Sequence, residues 1–214
     1  MRGDESGGTV VRRGRYAEAE RNDAAILEAA RDVFLADPTA PISAVAKRAG
    51  VGMGALYHRY AGKEELLATL CRQGQDRYLA EVRDALGVTG DPWEAYVEFL
   101  RRIVAADTHS LVVRLAGTFT PTAEHLGRAE QMEKLGTQLF ERARATGKLR
   151  ADVTFLDVSY LLELVAKSSL DTPERTAELH QRQLAIVIDG LAAVHGEPLP
   201  GTPPTWQEQQ RRWG

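Results

Sequence analysis

The stretch Pro41–Lys63, PISAVAKRAGVGMGALYHRYAGK, decides the fold. It reads as two short helices broken by Gly50-Val51-Gly52, followed at once by the start of another. Ile42, Val45, Ala46 and Ala49 recur at i, i+3, i+4 and i+7, which predicts one apolar face on the first helix. Gly50 follows and can adopt the left-handed conformation that ends a helix and turns the chain sharply. Gly52 opens the second helix, where Leu56 and Tyr60 face inward at i and i+4. Met53, Gly54, Tyr57 and His58 are left to point outward. No acidic residue lies between Asp37 and Glu64, whereas Lys47, Arg48, Arg59 and Lys63 do. A helix-turn-helix without negative charge suits contact with DNA, because each carboxylate beside a phosphate costs binding energy. The outward face at the start of the second helix is the part that enters a major groove.

The run AGVGMGALYHRYAGKEELL resembles the signature of the tetracycline-repressor (TetR) family of bacterial transcription regulators, roughly AGVSxGTLYxYFxxKEELL. The preceding RNDAAILEAARDVFLAD resembles that family's first helix. The close resemblance spans about residues 17 to 70. It implies an all-α chain: a three-helix head with the helix-turn-helix, joined by a long helix to a helical ligand-binding and dimerisation domain. It departs from the family form in three places. Gly52 stands for the usual Ser and Ala55 for a common Thr, so two hydroxyl donors are lost. Arg59 stands where an aromatic residue is typical and adds a cation. The DNA contacts that the residues and the resemblance imply are Ser43, Gly52, Met53, Gly54, Tyr57, His58, Arg59 and Lys63. Lys63 is expected to reach phosphate from the start of its helix, and Ser43 either to reach phosphate or merely to cap its turn.

A chain of 214 residues is long enough for one well-buried domain or two small ones. The net charge of −3 lacks a whole-protein basic signature, so the positive charge near Pro41–Lys63 is local. The one cysteine, Cys71, excludes an intramolecular disulfide framework and fits a reducing cytoplasm. The start, MRGDESGGTVVRRGR, has no apolar core of a signal peptide, and no apolar run approaches a membrane span. Residues 1–16 are expected to be a disordered arm, with Arg12, Arg13 and Arg15 either reaching a minor groove or solvated. The head is expected over 17–62, with its first helix starting at Asn22. The second domain is expected over 63–195, and a flexible Pro-rich tail over 196–214.

Beyond the head, helices are expected over 63–86, 92–106, 109–117, from Thr120-Pro121 towards Gly147, 155–170 and 173–195. Asp91-Pro92-Trp93-Glu94 is a clear helix start. In the last two helices the stripes Val158, Leu161, Leu162, Val165 and Leu184, Val187, Ile188, Leu191 leave Leu164 and Ile186 outside. Helices apolar on more than one side must bury more than one side, which predicts a homodimer. Leu161, Val165, Leu184, Val187, Ile188 and Leu191 are its expected contacts. Trp93, Tyr96, Phe99, Phe119, Phe140 and Tyr160 are either the lining of an apolar ligand pocket or an ordinary core. Glu163 and Lys167 read as a solvated i, i+4 pair.

The five histidines show no metal-ligand spacing, Cys71 lacks an evident base, and the GVGMG run is not a phosphate loop. No cofactor, no metal and no enzyme activity is expected. The expectation is a cytoplasmic, ligand-responsive repressor. Its partners are double-stranded DNA, a small mainly apolar molecule and a second copy of the chain, with no membrane. The alternative is a helical small-molecule-binding protein with little useful DNA affinity.

Overall fold

A computed structural model of the chain describes residues 7–107, 119–193 and 197–211. The regular elements among these residues are helices: α1 (Gly7–Ala36), α2 (Ile42–Ala49), α3 (Met53–Arg59), α4 (Lys63–Gly87), α5 (Pro92–Ala105), α6 (Ala123–Arg144), α7 (Phe155–Lys167), α8 (Pro173–Leu191) and α9 (Trp206–Arg211). The helix expected over 109–117 and the side chains of Arg12, Arg13 and Arg15 lie outside the described residues. The chain divides into two compact units, Met1–Leu70 and Cys71–Gly214.

In the first unit α1 buries Ile26, Ala29, Ala30 and Phe34. The helix begins at Gly7, not at Asn22, so the arm expected to be disordered is helical from that point. Tyr16-Ala-Glu-Ala-Glu-Arg is made largely of good helix formers, and adding a residue to an existing helix is far easier than starting one. The unit also ends later than expected, at Leu70 rather than residue 62. Leu66, Leu67 and Leu70 on the first two turns of α4 are buried.

The second unit is organised around an aromatic mesh. Asp91 caps α5, accepting from the Trp93 N–H at 2.9 Å. This starts a helix that buries Trp93, Tyr96, Phe99, Leu100 and Ile103 along one side. Tyr96 stacks on Phe99 with centroids 6.4 Å apart and meets the Phe140 ring edge-on at 5.9 Å. Tyr78 meets Phe99 edge-on at 5.4 Å. Val158, Leu162, Val165, Leu184 and Leu191 complete the same core. Thr122 and Thr154 each form a capping box, which sets the starts of α6 and α7. Gly136 lies where α6 is approached closely: a Cβ there would stand 2.5 Å from the Tyr78 hydroxyl and 2.8 Å from the Phe155 ring.

The tail expected to be flexible is tied down. Arg150 holds Asp152 through two hydrogen bonds and donates to the Glu197 carbonyl at 2.9 Å. Asp152 accepts from the Leu199 N–H at 2.8 Å. The Arg150 hydrogen bond holds the Asp152 carboxyl far below the usual carboxylate range, with help from the Leu199 N–H. Thr205 and Glu208 then exchange side-chain-to-backbone hydrogen bonds and start α9. Trp206 stacks on Phe155 at 6.1 Å. The Thr-x-x-Glu signature of a helix start was present in the sequence, masked by the prolines before it.

Candidate DNA interface

The turn between α2 and α3 is built from backbone geometry. Gly50 sits at φ 68°, ψ 24°, a conformation that would strain a residue with a Cβ. The Val51 N–H donates to the Ala46 carbonyl at 3.1 Å, closing the end of α2. Gly52 is the N-cap of α3 and carries no side chain to satisfy the first N–H groups. Pro41, not Ser43, occupies the cap position of α2, so Ser43 is an exposed first-turn hydroxyl.

On α3, Leu56 is fully buried and Tyr60 nearly so. Met53, Gly54, Tyr57 and His58 are exposed, with Tyr57 at 52 % and Met53 at 36 %. At about 100° per residue, His58 falls near the middle of this outward arc, with Tyr57 on one flank and Arg59 on the other. Among the described residues no side chain crowds Gly54. On α2, Ser43 and Lys47 lie one turn apart and are exposed.

The cations behave differently from the expectation. Arg59 does not extend outward as an added charge: its Nε and Nη2 donate to the two carboxylate oxygens of Asp23 on α1, at 2.8 and 2.9 Å. The Tyr60 hydroxyl donates to the same carboxylate at 2.5 Å. The Arg59 hydrogen bond holds the Asp23 carboxyl below its ordinary value, partly opposed by burial and assisted by Tyr60. Asp23 in turn holds the Arg59 guanidinium more firmly protonated. Burial, with Asp23 adding to it, pushes the Tyr60 phenol up. Arg48 donates from Nε and Nη2 to Asp32, at 3.2 and 2.7 Å. Lys63 is likewise turned inward. Its ammonium donates to the Pro38 and Ala40 carbonyls at 2.9 and 2.7 Å and lies 5.1 Å from the centre of the Phe34 ring. It therefore fastens the loop between α1 and α2, instead of standing ready for phosphate. Asp23 and Asp32 lie far upstream of the motif, and no local spacing signals either tie. Lys47 remains as a motif cation with no ion pair among the described residues.

In the second unit four expected pocket residues, Trp93, Tyr96, Phe99 and Phe140, turn out to be core, their rings packed on one another. Phe119 and Tyr160 are only partly buried, and Phe119 packs on His125 at 5.4 Å. An open, polar surface cleft of about 470 Å³ lies elsewhere in this unit, lined by Asp76, Leu79, Arg83, Glu124, Arg128 and Gln131 among others. Arg128 bridges Asp76 and Glu124 at 2.8 and 2.6 Å. The buried Gln75 donates to the His125 carbonyl at 3.1 Å, while its Oε1 has no hydrogen-bond partner among the described residues. Glu163 is buried, not a solvated partner of Lys167.

The expected dimer residues divide. Val165, Leu184 and Leu191 are buried inside the protomer, and Val187 and Ile188 pack partly against the same core. Leu161, at 36 % exposure, sits at the edge. The most exposed large apolar residues of these two helices are the two outside the stripes, Leu164 at 64 % and Ile186 at 65 %. An apolar stripe marks which side of a helix is buried, and here the stripes were needed by the protomer itself.

A family model for bacterial regulatory proteins of the tetR family matches residues 26–70, the unit that carries this helix-turn-helix. A second, for the C-terminal domain of SbtR-like transcriptional regulators, matches residues 91–193. The chain belongs to the TetR family. The HTH-type transcriptional repressor KstR2 of Mycobacterium tuberculosis is 27 % identical over 165 residues, covering 69 % of this chain and 80 % of that protein. The solved TetR regulator SCO0520 of Streptomyces coelicolor is 26 % identical, with a TM-score of 0.55, over 80 % of this chain and 99 % of that one. LfrR of Mycobacterium smegmatis, solved in complex with proflavine, shares the fold at 19 % identity, with a TM-score of 0.56 over 83 % and 99 % of the two chains. This TetR-family chain is thus a transcription regulator, and its α2–α3 pair lies within the segment that the tetR-family model matches. No helix among its described residues is long and apolar enough to cross a membrane.

Proposed function

We propose that the protein is a ligand-responsive repressor that acts as a homodimer in the cytoplasm. The carrying observation is the outward face of α3. Met53, Gly54, Tyr57 and His58 stand exposed on a helix whose opposite side is anchored by Leu56 and Tyr60. Such a face reads base edges, with Met53 suited to a thymine methyl and His58 to a hydrogen bond. Tyr57 and Ser43 offer hydroxyls to phosphate, and Gly54 lets the backbone come close. Two copies of α3 then read neighbouring major-groove segments of a near-palindromic operator. KstR2, named as a repressor, supports the sign of regulation.

Leu161, Leu164 and Ile186 supply the second-copy face on α7 and α8, an unpartnered apolar surface that a symmetric dimer would cover. A mainly apolar small molecule binds the second unit and lowers DNA affinity by preferring the DNA-incompetent form. The LfrR complex supports the capacity of this fold to hold such a molecule. With Trp93, Tyr96, Phe99 and Phe140 committed to the core, Phe119 and Tyr160 remain candidates for the apolar lining, and Gln75 for the polar end. An unsatisfied buried acceptor such as its Oε1 costs about 1–3 kcal/mol, and a ligand donor would recover this.

Fluorescence anisotropy against the protein's own upstream region tests the reading. Tyr57→Ala and His58→Ala should each weaken binding at least about fivefold, equivalent to about 1 kcal/mol, with unchanged helicity. Equal binding by both variants would remove α3 from the interface. A wild type that binds no duplex would favour the small-molecule-binding alternative. Ile186→Glu should give a folded monomer in sedimentation, and a wild type that is already monomeric would exclude the dimer.

A further inference from the structure

The helix-turn-helix has four cations, yet two of its arginines are matched by carboxylates from α1. Resting on the DNA-binding reading above, we propose that Asp23 and Asp32 cage Arg59 and Arg48. The cages suppress sequence-independent attraction to phosphate and leave recognition to the largely uncharged face of α3.

The physical case starts from how duplex DNA attracts proteins. Each phosphate neutralised by a protein cation releases a counterion, and this term supplies nearly all non-specific affinity. A guanidinium whose charge is matched at close range by a carboxylate is a neutral pair and contributes little to that term. Arg59 lies on the flank of the outward α3 arc, beside His58, where it would otherwise add a phosphate contact. Asp23 occupies its Nε–Nη2 edge, the fork that suits a bidentate phosphate. The Tyr60 hydroxyl, itself anchored in the core, binds the same carboxylate and fixes its position. Asp23 is therefore a held competitor for the guanidinium. The Arg48–Asp32 cage is looser, since both arginine contacts fall on one oxygen and both side chains are exposed. Asp32 should restrain its arginine less than Asp23 does. An exposed ion pair of this kind adds little to stability. Its consequence lies in discrimination, because specificity is a difference between two affinities and lowering the non-specific one raises it.

The experiment measures binding of the full chain to an arbitrary 30-base-pair duplex across a salt series, with heparin-column retention beside it. Asp23→Asn should steepen the slope of log K against log salt by about one unit and raise affinity about threefold or more at low salt. Asp32→Asn should do the same more weakly. Arg59→Ala should leave the wild-type slope unchanged, because a caged arginine has no phosphate contact to lose. Tyr60→Phe separates the cage from mere scaffolding: it loses a hydrogen bond to Asp23 but keeps the ion pair, so its slope should match the wild type. If Asp23→Asn does not fold, Asp32→Asn carries the same test on Arg48. A shallower slope for Arg59→Ala, with no steepening in Asp23→Asn, would overturn the cage and place Arg59 on phosphate in the wild type. Should the wild type bind neither its upstream region nor the arbitrary duplex, the DNA reading fails. Later elution of Asp23→Asn from heparin would still support the cage, and unchanged elution would sink it.

Discussion

In the unit up to Leu70, a core of Phe34 and the aliphatic side chains Ile26, Val45, Leu56, Leu66, Leu67 and Leu70 is crossed by polar ties between helices. Ala29, Ala30, Ala40 and Ala46 occupy buried positions, and Asp23–Arg59–Tyr60, Asp32–Arg48 and Lys63 on two carbonyls tie the elements. In the unit from Cys71 onward, Tyr78, Trp93, Tyr96, Phe99 and Phe140 meet ring to ring. The alanines let helices approach closely, and directional polar contacts add to the aliphatic packing of the head. Large rings bury far more area each. The difference teaches where each unit is vulnerable: the head to lost charge as well as lost volume, and the second unit chiefly to lost volume.

The largest expected effect is therefore in the aromatic mesh. Phe140→Ala removes the ring that Tyr96 and Phe155 meet edge-on. It should destabilise the second unit by about 3–5 kcal/mol in urea denaturation followed by Trp93 emission. A loss below about 1 kcal/mol would dissolve the contrast between the units. Next, Lys63→Met keeps an unbranched stem beside Phe34 but deletes two charge-assisted hydrogen bonds. It should lower head stability by about 2 kcal/mol, judged by hydrogen exchange of α2 and α3 amides. The salt slope of DNA binding should not change, whereas a shallower slope would restore Lys63 to the phosphate surface.

A third test uses acid. The Asp23 carboxyl is held below its ordinary value, chiefly by Arg59. A depressed carboxylate adds stability above its unfolded-state value and loses it as pH falls through the folded one. Amide protection on α3 should decline below about pH 4, and Asp23→Asn should show less of that decline. Equal acid sensitivity in α3 and α5 amides would mean that polar ties do not distinguish the head. The smallest effect concerns Gly52, whose extended N-cap geometry and open surroundings accept a side chain. Gly52→Ser should add a few tenths of a kcal/mol by capping α3. A loss on that substitution would mean that the cap is strained.

What could be read before the structure follows the range of each interaction. The outward face of α3 was legible because Leu56 and Tyr60 are one turn apart, and the turn because Gly50 must adopt a positive φ. The start of α5 was legible for the same local reason, in Asp91-Pro92. Asp23 lies 36 residues from Arg59 and meets it only through the packing of α1 on the turn, so the tie was invisible. The inward swing of Lys63 was equally hidden, because its acceptors are backbone carbonyls, which every residue has. On α7 and α8 the stripes identified apolar faces correctly but not what covers them. Val165, Leu184 and Leu191 were assigned to a partner when the protomer's own core takes them. The aromatic residues of α5 and α6 stayed open between the two readings, since composition alone does not separate a filled core from a lined cavity.

The stacking of Trp206 on Phe155 gives this chain an optical reporter. Trp93 is buried at the margin of the aromatic mesh, whereas Trp206 is half-buried on a short helix that follows the Arg150–Asp152 clasp. An indole that leaves such a ring enters water and emits further to the red. With Trp213 replaced by Phe, emission would split into a steady blue component from Trp93 and one from Trp206 that follows α9. The docking of the terminal helix could then be timed in a stopped-flow instrument without an attached dye.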